Sequence, residues 1–83
     1  MQQQDYELLK KFGRRVRELR IERNKSLNNF SFNSEILTSA TVSRIENGLV
    51  DLKFSTLIKL ANALNLTPEE LLHDFNFIYE PDL

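Results

Sequence analysis

The chain is predicted to be all-α, a compact orthogonal bundle of five short helices. Three observations lead there. Only two glycines and two prolines interrupt 83 residues. Apolar residues recur at spacings of three and four instead of alternating, which is the helical period. The segment Thr67-Pro68-Glu69-Glu70 is a helix start of a specific kind, with a hydroxyl cap, a proline at the first helical position and a glutamate placed to close a capping box.

The first helix is expected from about Asp5 to Arg23, with Leu9, Phe12, Val16 and Leu19 on one apolar stripe. Lys11, Arg14, Arg15 and Arg17 lie off that stripe. Gly13 costs about 1 kcal/mol of helix propensity relative to Ala. It therefore marks the close approach of another backbone or is simply tolerated. Asn24-Lys25-Ser26 breaks the chain, and Ser26 caps a second helix with Phe30 in its core. Asn33-Ser34-Glu35 reads as a turn, with Ile36 and Leu37 packed beside it. Thr38 caps a third helix, Ser39 to Asn47, whose Val42 and Ile45 face inward, and Gly48 ends it in the left-handed region. The fourth helix starts at Asp51 or its neighbours and buries Phe54, Leu57, Ile58, Leu60, Ala61 and Leu64. The fifth runs from Pro68 through Leu71, Leu72 and Phe75. The tail after it is unusually apolar, and Pro81 argues against a continuing helix.

Size and composition bound the function. A chain of this length reads as a single domain over 1–83. Such a domain buries only about 60–65% of the surface its unfolded chain exposes, so its stability is marginal unless a second chain adds to the core. The absence of Cys excludes a disulfide framework, a cysteine zinc site and a thiol nucleophile. A single histidine, His73, excludes a His-rich metal cage. No apolar run approaches the ~18 residues of a membrane span, and Met1 to Asp5 lacks the basic start of a secretory signal. The expectation is a cytoplasmic protein with no cofactor, metal or small-molecule ligand. An enzyme is not expected. His73 and Asp74 are adjacent and point in different directions on a helix. No nucleophile–base set recurs, and no glycine-rich phosphate loop exists.

The net charge of −1 conceals an asymmetry. Residues 1–48 carry nine Lys or Arg against six Asp or Glu, and residues 49–83 carry two against six. The basic cluster of Lys10, Lys11, Arg14, Arg15, Arg17, Arg20, Arg23 and Lys25 implies an anionic partner or a solvated helix face. The third helix bears on that choice. Its outward positions are Ser39, Ala40, Ser43, Arg44 and Asn47, mostly short and polar with one long Arg. Short side chains let a backbone approach a duplex, and an arginine fork reaches guanine O6 and N7 or a phosphate. The helix start at Thr38 and Ser39 offers N–H groups to a phosphate. On spacing alone an ordinary solvated helix surface fits as well.

Four segments in order carry a family resemblance. Phe12 to Arg20, Thr41-Val42-Ser43-Arg44-Ile45-Glu46-Asn47-Gly48, Thr56 to Leu64 and Leu66 to Leu72 resemble the first, third, fourth and fifth helices of the Cro/CI-type, lambda-repressor-like helix-turn-helix family. The resemblance covers residues 12 to 72. It implies a lambda-repressor-like DNA-binding domain with its helix-turn-helix at about 27–47, acting as a transcription regulator. Ser39, Ala40 and Arg44 correspond to readers of base edges. Ser26, Leu27 (through its N–H), Thr38, Ser43 and Asn47 correspond to contacts with the DNA backbone, joined by Arg14 and Arg15. Arg20 and Glu46 correspond to a structural ion pair. The sequence departs from the family in several places, among them a bulky Phe32 after Ser31 and a second helix with no basic residue. One residue is added between Phe30 and Val42, the turn glycine is missing at Glu35-Ile36, and Leu49-Val50-Asp51 replaces the basic residues usual after Gly48.

One recognition helix contacts few base pairs, at ~1–3 kcal/mol per good contact, too little to find one genomic site. A homodimer on a pseudo-palindromic operator with half-sites ~34 Å apart repairs this, and Phe75, Phe77, Ile78 and Tyr79 are the candidate dimer interface. Phage repressors and autoregulators, restriction–modification controllers and antitoxins all fit this reading. The alternative is a protein–protein interaction module built on the same bundle. The two differ in whether Arg44 and the first-helix arginines face one way or are consumed by internal ion pairs.

Overall fold

The computed structural model describes residues 3–23 and 37–73. Among the described residues there are four helices and no strand: α1 (Gln3–Glu22), α2 (Ser39–Glu46), α3 (Phe54–Ala63) and α4 (Pro68–Leu71). They are the first, third, fourth and fifth of the helices expected. Ser26, Leu27 and Phe30 of the second lie outside the described residues, as do Asp74 and the tail beyond it. No helix among the described residues is long and apolar enough to cross a membrane.

The helices meet in one apolar core. Phe12, Val16 and Leu19 of α1, Leu37 just ahead of α2, Val42 and Ile45 of α2, Leu60, Ala61 and Leu64 around α3, and Leu71 of α4 are all buried. Burying each large aliphatic side chain contributes about 1.5–3 kcal/mol. Arg23 fastens the end of α1 to the end of α3: its Nε donates to the Leu64 carbonyl at 3.0 Å and one terminal nitrogen to the Leu19 carbonyl at 3.2 Å.

Capping explains where each helix stops. Thr38 opens α2 by accepting the Thr41 N–H at 3.1 Å. Gly48, at φ +70, closes it. The Gly48 N–H then reaches the Ile45 carbonyl at 3.1 Å and the Leu49 N–H the Arg44 carbonyl at 2.9 Å, which is a Schellman closure. Asn65, at φ +58, does the same for α3, with the Leu66 N–H on the Ala61 carbonyl at 2.9 Å. At α4 the capping box is complete. The Glu70 N–H donates to the Thr67 hydroxyl at 3.1 Å, and the Thr67 N–H donates to the Glu70 carboxylate at 2.9 Å.

Three expectations are corrected. Asp51 does not open α3, which begins three residues later, after Lys53 in extended backbone with no side-chain cap. Phe54 is not buried but 76% exposed. It has the phase of the apolar stripe, yet it sits at the first turn of α3, beyond the layer the other helices cover. It flanks an open apolar groove of about 440 Å³ lined also by Leu8, Leu9, Phe12, Leu52, Leu57 and Leu72. The helix starting at Pro68 closes at Leu71, with Leu72 as its cap and His73 in a turn, short of the expected run to Phe75.

Gly13 is where α1 and α2 touch backbone to backbone. A methyl group there would lie 2.5 Å from the Glu46 carbonyl oxygen and closer still to that of Ile45. In an ordinary helix Gly→Ala gains about 1 kcal/mol. Gly13→Ala should instead lose about 1–3 kcal/mol, the cost of overpacking against atoms that cannot rotate away. A thermal melt in which the variant matches or exceeds the wild type contradicts this.

The capping box also carries a pH signature. The Thr67 backbone N–H, then its hydroxyl, and more weakly the charge of Arg23, hold the Glu70 carboxyl below its ordinary range. A lowered folded value means the contribution is complete above the unfolded pKa of ~4.3 and is lost as pH falls through the folded value. Glu70→Gln keeps the acceptor and removes the titration. Its melting temperature should therefore fall less steeply in acid than that of the wild type, and identical acid limbs would refute the assignment.

Candidate nucleic-acid interface

The junction between α1 and α2 sets the orientation of α2. Arg20 Nε lies 2.7 Å from one Glu46 oxygen, and Arg20 Nη2 donates to the other at 3.0 Å. The two side chains are only 10% and 6% exposed. The hydrogen bond to Glu46 and its charge raise the Arg20 pKa against the opposing effect of burial. A carboxylate in the last turn of a helix faces the negative end of the helix dipole. The planar guanidinium fork offsets that with two parallel bonds and fixes the angle as well as the distance. Gly13, about two turns earlier on α1, lets the helices close to backbone contact beside this pair. The expected structural ion pair is thus present in the geometry, and one side of α2 is committed to the scaffold.

The other side of α2 is turned outward. Val42 and Ile45 are buried, while Ala40, Arg44 and Asn47 are exposed and Ser39 and Ser43 half-exposed. Among the described residues no carboxylate pairs with Arg44, and its place in the last turn suits a cation. At the start of α2 the Thr38 hydroxyl is already used. It accepts the Thr41 N–H and donates to the Thr41 hydroxyl at 2.9 Å. The Ser39 and Ala40 N–H groups precede Val42, the first donor of the helix ladder, and so have no intrahelical acceptor one turn back. Asn47 spends its amide nitrogen on the Ser43 carbonyl at 2.8 Å and keeps its side-chain oxygen. Ser26 and Leu27 lie outside the described residues, and so do Phe75, Phe77, Ile78 and Tyr79.

The basic cluster of α1 separates into parts that composition could not distinguish. Arg20 and Arg23 are consumed by internal bonds. Arg14 and Arg17 are exposed. Arg15, expected beside Arg14, is corrected: it lines a groove of about 590 Å³ on the α4 side, with Glu22, Glu69 and Glu70, and its Nε is buried without a hydrogen-bond partner. Adjacent helical residues are ~100° apart, so Arg14 and Arg15 cannot serve one face. Arg23 was missed as a structural residue because an arginine that closes onto carbonyls leaves no local pattern.

A helix-turn-helix family model matches residues 16–71. The chain belongs to the helix-turn-helix family. Its Cro/CI-type character is that of a DNA-binding transcription regulator. Comparison with curated proteins gives no match. Among solved structures it is similar to the restriction-modification controller protein C.AhdI from Aeromonas hydrophila, at 38% identity and a TM-score of 0.73 over 80% of this chain and 94% of that one. It is also similar to ComR from Streptococcus suis, at 30% identity and a TM-score of 0.72 over 89% of this chain but 23% of that one.

Breaking the Arg20–Glu46 pair from one side leaves a buried charge without its partner, at about 3–5 kcal/mol. Glu46→Ala should shift the urea midpoint down by that equivalent or leave the chain unfolded. A midpoint within error of the wild type would mean that the pair is solvated and does not set the position of α2.

Proposed function

We propose that the protein is a sequence-specific regulator that inserts α2 into the major groove of double-stranded DNA as a homodimer on a pseudo-palindromic operator. Ser39, Ala40 and Arg44 read base edges. Thr38 and Ser43, the remaining oxygen of Asn47, and Arg14 lie against the sugar–phosphate backbone. One observation carries the reading: Arg44 stands exposed, without a carboxylate partner among the described residues, on a helix whose opposite side is fixed by the core and by Arg20. An interaction module would not require a helix so rigidly held with so little apolar surface on its outward side.

Similarity to a restriction-modification controller protein supports a small repressor or autoregulator of that type. No catalytic step is part of the proposal, and such a regulator works in the cytoplasm beside the nucleoid. The homodimer is supported by the apolar groove around Phe54 and Leu72. Removal of such a patch from water favours a second copy.

Selection from a pool of random duplexes, read by sequencing, tests the whole proposal. Enrichment of a pseudo-palindrome with half-sites about one turn apart is expected. Binding that enriches no sequence would favour the interaction module. Arg44→Ala should abolish enrichment while its melt stays close to that of the wild type, because Arg44 makes no internal ion pair among the described residues. A largely unfolded variant would contradict its assignment as a reader. Phe54→Asp should push the dimer toward monomer in sedimentation at equal concentration, and an unchanged distribution would remove the groove from the interface.

A further inference from the structure

We propose that Lys10 is a DNA-phosphate contact, supplying from α1 the cation that the loop after α2 lacks. The proposal rests on the DNA-binding reading above.

The loop that follows α2 is Gly48-Leu49-Val50-Asp51, which holds no cation. Its one charged group, Asp51, lines the apolar groove beside Leu8, Leu9 and Phe12. The structure places another cation at this loop. A methyl group on Gly48 would lie 2.8 Å from the Lys10 backbone nitrogen, 2.9 Å from its Cα and 2.7 Å from its Cγ. The Lys10 stem therefore leaves α1 against the C-terminal end of α2, although the two residues are 38 apart in the chain. Gly48 is needed there twice, once for its positive φ and once because Lys10 occupies the space of a side chain.

The Lys10 ammonium rests on a ring face. It sits 4.8 Å from the centre of the Tyr6 ring, one turn back on the same helix. Glu7, the carboxylate one turn away at the adjacent position, accepts instead from the Gln3 amide at 2.9 Å. Among the described residues no carboxylate pairs with Lys10. A ring face holds an ammonium loosely and leaves its charge available, whereas a carboxylate would cancel it.

Placement relative to α2 supplies the direction. Eight helical residues span about 12 Å, close to the width of the major groove. With Ser39 and Ala40 at the base edges, the other end of α2 emerges at the groove wall, where the sugar–phosphate backbone runs. Lys10 is carried at that end. Arg14 and Arg17 follow it at helical spacings of four and three, both exposed. Lys10 and Arg17 are about 10 Å apart along α1 at a rise of 1.5 Å per residue, so the three cations form a ridge rather than a point.

Salt dependence separates a phosphate contact from a solvated lysine. Each neutralised phosphate adds about 0.9 to the slope of log affinity against log salt. Between 50 and 200 mM salt, Lys10→Gln should therefore lose about 3.5-fold less affinity than the wild type. Its weakening at low salt should be the same factor on the selected operator and on random duplex. Lys10→Arg, which keeps the charge, should restore the slope. A wild type that binds with a slope unchanged in Lys10→Gln overturns the Lys10 assignment alone. So does a loss confined to the operator, or a loss that Lys10→Arg shares. A wild type that binds no duplex at either salt overturns the DNA-binding reading and this inference with it. Circular dichroism melts of both variants, expected to overlay the wild type, keep the comparison one of binding.

Discussion

The contact of α1 with α2 is the constraint on which the rest depends. Gly13 brings the α1 backbone against the Ile45 and Glu46 carbonyls, and Arg20 clamps Glu46 beside it. A contact between backbones cannot relax by changing a rotamer, and a bidentate ion pair tolerates little rotation. Together they make α1 and α2 one rigid corner. A helix that reads base edges needs such a corner, because misplacing an arginine fork by an ångström forfeits its two hydrogen bonds. In the proposed reading, the stability of the bundle and the aim of Arg44 thus come from the same few atoms.

The same corner gives the basic residues their different fates. Arg20 and Arg23 are internal, one on a carboxylate and one on carbonyls, and neither is available to a ligand through those bonds. Arg15 faces the acidic groove beside α4. Arg14, Arg17 and Lys10 remain on the side of α2. A modest net charge is therefore no measure of the local field. The acidic residues Glu69 and Glu70 share the α4-side groove with Arg15 and Arg23, so the charges there offset one another.

Small size leaves its mark on the surface. A four-residue helix, α4, survives because its capping box is complete and Leu71 is fully buried. Beside it Phe54 remains exposed above a groove lined by leucines. A larger domain would have another layer to cover that groove. In the proposed homodimer, a second copy would bury that groove.

The elements whose signals are local were legible in the sequence. Thr38 and Thr67 as caps, Pro68 at a first turn, Gly48 as a left-handed stop and the Phe12-Val16-Leu19 stripe are each decided by neighbours within four residues. Their hydrogen bonds and periodicity are properties of a short stretch of chain. The Arg20–Glu46 pair came from the family resemblance, since nothing local joins residues 26 apart. What only the tertiary structure decided are the outcomes that depend on which helix lies across from which. Phe54 has the phase of a core residue, but among the described residues no helix covers that turn. Arg14 and Arg15 look alike in composition, yet ~100° of helix rotation sends one outward and the other toward α4. Arg23 bonds to a carbonyl 41 residues away. Lys10 meets Gly48 only because Gly13 lets the two helices close to backbone distance. Sequence periodicity specifies which face of a helix is apolar; what lies opposite each point of that face is a property of the packed chain.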